Sequence, residues 1–255
     1  MDHSIKNDTK NIPVVIFAGG NGIGLGKGGK CIPKPLVEVN GIPVIFYIMD
    51  HYSKAGFRKF IICAGTGVEL IKDFVSNIGI IGNKLKASAN LKKWSVSVVD
   101  TGINNMTGSR LAQARPMVES SPLFCLTYGD TVANVNLRDM LSFHLKHKKT
   151  GTLLAVHNPT RFRILGLFGD DDLIRGFSEK PVLEKDYING GFYIFNNSIF
   201  NLKALSNKPS CVLETGVLEE LILQKQLCAY RFNDFWQFVD AERDRQKVAQ
   251  YLTTD

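Results

Sequence analysis

One junction near the N-terminus limits the possible folds more than any other feature. "VVIFA" (14–18) is an apolar run of the kind that forms a buried strand, and seven of the thirteen residues from Phe17 to Gly29 are glycine. A glycine-rich loop after a first strand suits phosphate, because residues without Cβ let backbone N–H groups approach phosphate oxygens. The glycines alone fit several loops. Gly24-Leu25-Gly26-Lys27-Gly28-Gly29 satisfies the GxGxxG spacing of a dinucleotide loop. Gly24 to Cys31 reads as GxxxxGK, with Cys31 where a P-loop carries Ser or Thr.

Both of those loops run straight into a helix. Here Pro33 and Pro35 follow. Proline breaks helix interiors and disfavours helical geometry in the residue before it. The next helix therefore starts no earlier than Gly41, and the second strand ends "CAGTG" without the acid a dinucleotide fold places there. What remains is a strand, a glycine loop and a stiff Pro-Lys-Pro segment. That segment either aims Lys34 at a phosphoryl group or forms an ordinary surface loop with a solvated lysine.

Downstream, "GIPVIFYIMDHYSKAG" (41–56) reads as a helix with Pro43 in its first turn and Gly56 at its C-terminal cap. Strands follow at 59–65, 94–100 and 123–130, and helices at 68–79 and 109–119, the latter with Ser109 as a cap. This alternation predicts a mostly parallel sheet covered on both faces. The last third changes character. It holds a hairpin over 164–178 turning at "GDDD", a strand at 188–195, and helices at 215–226 and 241–252. The expected organisation is a flexible tail, 1–11, and a single domain, 12–255, with a small C-terminal elaboration.

Lysine and arginine outnumber acids by 31 − 24 = 7, but the basic residues are scattered. A small anionic substrate explains the sign as well as nucleic acid does, and nucleic acid is not favoured. None of the five cysteines forms a CxxC pair, and Cys63 and Cys125 lie in apolar runs as buried thiols. That usage fits a reducing cytoplasm. No apolar run reaches 18 residues and the first residues are polar, so neither a membrane span nor an export signal is expected. The five histidines look unremarkable, with His144 and His147 on an exposed helix.

The order Ala18-Gly19-Gly20, Gly22, Leu25, then Pro33-Lys34-Pro35-Leu36, then Gly41-Ile42-Pro43 resembles the AGGxGTRL, PKPL and GxP signature of the sugar-nucleotide pyrophosphorylases, a nucleotidyltransferase family. "YSKAGFRKFIICAG" (52–65), "VDTGINNMTGSRL" (99–111), "TYGDTVANV" (127–135), "FSEKP" (177–181), "INGGFYIF" (188–195) and "FWQFVDAERD" (235–244) look like the glucose-1-phosphate cytidylyltransferase branch. The resemblance implies a Rossmann-like three-layer α/β fold with a mixed, mostly parallel sheet. It implies transfer of CMP from CTP to a phosphorylated acceptor, foremost glucose 1-phosphate, giving CDP-glucose and pyrophosphate. It further implies Mg2+, a homo-oligomer and a role in nucleotide-sugar or capsule biosynthesis.

Residue by residue, the resemblance assigns the nucleotide to Ala18, Gly19, Gly20, Gly22, Lys34, Thr107 and Gly108. Lys34, Asp130 and Asp240 become catalytic, the two aspartates as metal ligands. Arg110, Glu179, Lys180, Asn189, Gly190 and Trp236 are assigned to the acceptor. The residues carry readings of their own. Asp130 ends a strand at the sheet edge where ligands of open α/β folds bind. Asp240 precedes a helix, where an N-cap is the ordinary role. Gly190 and Gly191 inside an apolar strand suggest a bulge or a close approach.

Two departures stand out. Ile23-Gly24 replaces the family's Thr-Arg, removing a cation expected at the triphosphate. Lys27 and Lys30 lie in the same loop and are expected to bind nucleotide in its place; otherwise the chain is a nucleotide-binding relative with little turnover. "RFRILG" (161–166) replaces RFG followed by a small residue, which leaves open a non-glucose acceptor, including a phosphoglutamine-like one.

Overall fold

The computed structural model describes residues 9–20, 23–25, 31–84, 91, 93–157, 164–167, 174–178 and 187–254. Strand β1 (Pro13–Ala18) is buried along its whole length and lies inside the main sheet. It pairs in parallel with β2 (Lys59–Ala64) on one side and with β4 (Leu123–Tyr128) on the other. Strand β3 (Ser95–Asp100) extends the sheet in parallel beyond β2. Strand β5 (Thr131–Ala133) leaves the main sheet. Then β6 (Gly151–His157), β7 (Tyr187–Asn196) and β8 (Leu227–Phe232) complete the order β8-β6-β7-β4-β1-β2-β3. Only β7 runs antiparallel, to both β4 and β6. The sheet is therefore mixed and mostly parallel, as expected from the alternation of elements. Strand β9 (Trp236–Phe238) pairs with β5 in a separate two-stranded ladder.

A strand's side chains alternate between faces. β1 divides accordingly. Val14, Ile16 and Ala18 enter one apolar cluster with Phe46, Phe60, Ile62 and Met140. Val15 and Phe17 enter a second with Ile61, Leu111, Phe124, Tyr193 and Leu221. Helices α1 (Val44–Lys54), α4 (Leu137–His147) and α6 (Glu242–Thr254) supply the first layer. Helices α3 (Thr107–Val118) and α5 (Leu218–Leu223) supply the second. Helix α2 (Val68–Ser76) follows β2 and leads towards β3. Each fully buried Phe or Ile contributes about 1.5–3 kcal/mol of transfer free energy, so both layers are needed to hold β1 dry on two sides. Among the described residues, no helix is long and apolar enough to cross a membrane.

Several local expectations shift. Residues Thr9–Asn11 are a 3₁₀ turn rather than tail, because Thr9 is buried and donates its hydroxyl to Ala55 O at 3.2 Å. Residues 1–8 lie outside the described residues. Helix α3 starts at Thr107 after Met106, so Ser109 is inside it and caps nothing. The 164–178 hairpin is present as Ile164–Leu167 paired with Ile174–Ser178, its "GDDD" turn lying outside the described residues. Strands β5, β6, β8 and β9 were not anticipated from the sequence, whereas the helix expected at His144 and His147 is present as α4.

Histidine 144 is not exposed. Leu137, Met140, Leu141 and His144 form one buried stripe at helical spacing on α4, a pattern legible in the sequence once the helix is recognised. The imidazole is fully partnered in its neutral form. Asn196 donates its amide to Lys149 O, so its Oδ1 accepts from His144 Nε2 at 3.1 Å. Thr152 Oγ1 lies 2.8 Å from Nδ1 and 2.7 Å from His147 Nε2. Burial pushes the pKa of His144 down from its ordinary 6.5 to about 4. The unfolded chain therefore takes up this proton first as pH falls. The stability held by neutral His144 is complete above pH 6.5 and is lost towards pH 4, amounting to about 2 kcal/mol at pH 5. In urea titrations, the stability loss between pH 7 and pH 5 should be about 2 kcal/mol smaller in His144→Asn than in the wild type. Equal losses in the two proteins would refute this source of acid sensitivity.

Candidate active site

The chain leaves β1 towards β2 and β3, then crosses back to place β4 on the opposite side of β1. The carboxyl ends of β1 and β4 therefore border a point where strand order reverses, the crevice in which open α/β sheets bind ligands. The two ends are locked in register. Phe17 pairs with Tyr128, and Gly129 N donates to Phe17 O at 2.9 Å. A Cβ on Gly129 would lie 2.8 Å from Pro35 Cγ and 2.9 Å from Phe17 O, so only glycine lets Pro35 settle here. The Pro-Lys-Pro segment is thus packed onto the end of β4.

Ile23–Leu25 and Cys31–Pro33 form a short antiparallel ladder leading into this segment, with Gly24 opposite Ile32. Lys34–Leu36 then make one 3₁₀ turn in which Pro35 is buried. The Lys34 ammonium emerges 2.5 Å from Asp240 Oδ1 and 5.2 Å from the centre of the Phe238 ring. Its side chain is 23% exposed and that of Asp240 is 42% exposed, so the pair faces solvent at the crevice.

The β5–β9 ladder brings the two aspartates together. Thr131 pairs with Phe238, and Val239 N donates to Asp130 O at 2.8 Å. Asp240 is not the helix cap its position suggested. Asp244 caps the turn instead. One of its carboxylate oxygens accepts from Asp240 N at 3.3 Å and Ala241 N at 3.0 Å, and the other accepts from Gln237 at 3.1 Å. This frees the Asp240 carboxylate for Lys34. The spacing of two acids in "DAERD" was the only sequence signal for Asp244, and it did not say which acid would cap.

Asp130 is electrostatically unusual. Burial pushes its pKa up to about 6, the Lys34 ammonium pulling against this and the Asp240 charge adding to it. A desolvated carboxylate beside a second one is short of positive charge. The pair suits a hard divalent cation, and among the described residues no third carboxylate, His or Cys completes a protein-only cluster. An ion held here would keep coordination positions for water and phosphate oxygens, the habit of magnesium.

Arg110, expected at the acceptor, is only 3% exposed. Its guanidinium donates to Thr101 Oγ1 at 2.5 Å, Gly102 O at 3.0 Å, Ala64 O at 3.3 Å, Gly19 O at 2.5 Å and Ile103 O at 3.4 Å. Any side chain at Gly19 or Gly65 would strike it. Arg110 therefore ties the start of the glycine loop to the end of β2, a role its helix position did not reveal. Ala18 and Gly19 do lie at the crevice edge, and Gly20 is exposed beside them. Thr107 and Gly108 were expected at the nucleotide, and they face residues 211–214 instead. Thr107 Oγ1 donates to Glu214 at 2.6 Å and accepts from Leu213 N at 2.9 Å, while a Cβ on Gly108 would lie 2.6 Å from Cys211 Sγ.

On the other side of β4, Asn189 and Gly190 open β7. Asn189 is exposed, its Oδ1 accepts from Gly191 N at 2.9 Å, and Trp236 Nε1 donates to Gly190 O at 2.8 Å. Gly191 has φ +75° and would drive a Cβ to 2.6 Å from the Tyr128 ring, so the glycine pair marks a close approach, as the sequence suggested. Gly22, Lys27, Lys30, Glu179 and Lys180 lie outside the described residues.

A family model, nucleotidyl transferase, matches residues 13–240. The chain is 34% identical over 241 residues to the glucose-1-phosphate cytidylyltransferase of Salmonella typhimurium, covering 91% of this chain and 92% of that one. Its fold is similar to that of a UDP-glucose pyrophosphorylase complexed with UDP-glucose, with a TM-score of 0.69 at 18% identity over 95% of this chain and 98% of the other. It is also similar to HddC from Yersinia pseudotuberculosis, with a TM-score of 0.65 at 21% identity over 94% of this chain and 99% of the other. A crevice at the switch point of a mixed sheet, a lysine on a Pro-Lys-Pro turn and two aspartates on a shared ladder agree with these matches: the chain belongs to the nucleotidyl transferase family.

Proposed function

We propose that the protein transfers a cytidylyl group from CTP to glucose 1-phosphate, releasing pyrophosphate and forming CDP-glucose. The observation that carries this reading is the convergence of Lys34, Asp130 and Asp240 at the carboxyl ends of β1 and β4. The choice of cytidine and glucose rests on similarity to the Salmonella relative.

In the proposed reaction an oxygen of the acceptor's phosphate attacks the α-phosphorus of CTP. The new P–O bond forms as the bond to the β-phosphate breaks, and pyrophosphate leaves in line. Such transfers depend mainly on positioning and charge stabilisation. Backbone N–H groups of Gly19 and Gly20 would receive phosphate oxygens. Lys34 would leave Asp240 for the transferring phosphoryl group, its turn held by Pro35 against Gly129. Asp130 and Asp240 would hold magnesium, which when bound supplies positive charge across the reacting phosphates. Asn189, Gly190 and Trp236 form the side of the crevice that would receive the sugar, with Glu179 and Lys180 assigned there by family resemblance.

The direct test is pyrophosphate release measured with each nucleoside triphosphate against a panel of sugar phosphates and small phosphorylated compounds. Turnover should be greatest with CTP and glucose 1-phosphate, and folded protein inactive with every pair would overturn the enzyme reading. Lys34→Ala should lower kcat roughly 10²–10³-fold, the scale of losing one preorganised donor to developing charge. Asp240→Ala should lower activity comparably and raise the magnesium concentration for half-maximal rate. Full activity in Asp240→Ala would remove it from the metal site.

Position 24 provides a separate check. If Lys27 and Lys30 replace the missing arginine, Gly24→Arg should change kcat less than about threefold, within the spread of a neutral substitution. A rise approaching 10²–10³-fold would instead mean that the natural loop lacks a needed cation.

A further inference from the structure

Glu214 was not singled out from the sequence, and the reaction proposed above does not use it. It lies in Leu213–Val217, where regular helix is interrupted by Thr215 (φ −105°, ψ 119°) and Gly216 (φ +103°). Leu213 and Val217 are buried on either side of the break, and Glu214 is half-buried between them. Its carboxylate accepts from Thr107 through one oxygen and from the Tyr128 hydroxyl through the other. The Tyr128 hydroxyl lies 3.3 Å from that of Tyr193, and Asn189 Nδ2 donates to Tyr193 Oη at 2.5 Å. Tyr193 is fully buried, and its ring meets Tyr128 edge-on.

A carboxylate can only accept, so it fixes the direction of every bond in this chain. Tyr128 must donate to Glu214. Its oxygen is then left to accept from the Tyr193 hydroxyl. Tyr193 in turn accepts from the Asn189 amide nitrogen. Asn189 Oδ1 is meanwhile held by Gly191 N at 2.9 Å, so both ends of the amide are assigned. The remaining Asn189 N–H is a donor on an exposed residue beside Gly190 and Trp236.

We infer that Glu214 is a positioning residue for acceptor binding: through Tyr128 and Tyr193 it anchors the nitrogen end of the Asn189 amide, whose oxygen Gly191 N holds, so that the remaining N–H is presented to a hydroxyl or phosphate oxygen of the acceptor. The inference rests on the proposed function for the identity of that ligand. A neutral Gln at 214 can donate as well as accept, so the two tyrosine hydroxyls are no longer held in one direction, and the Asn189 amide, still held at Oδ1 by Gly191 N, loses its fixed acceptor at Tyr193.

The test combines kinetics with an observation that needs no turnover. Glu214→Gln should raise the KM for glucose 1-phosphate about 10-fold, the lower end of effects seen when an outer-shell partner is lost, and leave the KM for CTP within about twofold. Tyr193→Phe, which removes only a hydroxyl, should do the same. The double variant should be no worse than the poorer single one, because both act through one relay. Multiplying losses, or an unchanged acceptor KM in both single variants, would overturn the inference. In 15N NMR spectra the Asn189 side-chain amide, assigned by its disappearance in Asn189→Asp, should shift in Glu214→Gln and in Tyr128→Phe. The second variant serves if the first fails to fold. An unmoved resonance would sink the relay whatever the activity. A moved resonance in a protein that turns over no substrate would uphold the relay and overturn the proposed function.

Discussion

The parallel pairing of β1 with both β2 and β4 is the constraint on which the rest of the structure depends. A strand flanked in parallel on both sides, with the chain leaving in one direction and returning on the other, opens a crevice at its carboxyl end. Here the hydrogen bond from Gly129 N to Phe17 O holds that end closed to a fixed width. Pro35 packs into the space a side chain at Gly129 would fill. The lysine beside it is therefore placed by backbone packing rather than by its own flexible stem.

Among the described residues, charge around this point is shared by one lysine and two aspartates. Asp130 is desolvated, which raises its pKa, and Lys34 partly offsets the cost. The same lysine contacts Asp240, whose carboxylate is available because Asp244 has taken over the helix turn. Arg110 carries a full charge into the interior, but it is spent on carbonyls of Gly19, Ala64, Gly102 and Ile103 and on the Thr101 hydroxyl. A buried cation satisfied in this way fixes loop geometry instead of recruiting ligand. The structure thus separates two kinds of cation that the sequence presents alike, one that holds the frame and one that faces the crevice.

The second layer is quieter and made of neutral hydroxyls, an amide and one carboxylate. Glu214, Tyr128, Tyr193 and Asn189 come from three elements, and none is adjacent in sequence to the next. Neutral His144, bonded between Thr152 and Asn196, shows the same habit away from the site. In each case a polar side chain sits inside an apolar layer because its partners are complete, and in each case the direction of the bonds follows from one group whose role is fixed.

The sequence by itself determined the strand, the glycine loop, the Pro-Lys-Pro turn and the alternation that makes a mostly parallel sheet, because those depend on local backbone restriction and on spacing of apolar residues. Pro33 and Pro35 alone ruled out two phosphate loops that the glycines permitted. Family resemblance assigned Lys34, Asp130 and Asp240 to one site, but nothing in the residues around them showed how they would meet. Their meeting required the β5–β9 ladder, whose strands of three residues carry too little periodicity to be read. Only the tertiary structure decided that Arg110 is buried, that Thr107 faces Glu214, and that Asp244, inside its helix, binds the N–H groups of Asp240 and Ala241. Those outcomes turn on which polar groups lie within hydrogen-bonding distance across more than a hundred residues in some cases, a matter of packing between elements that no local pattern records.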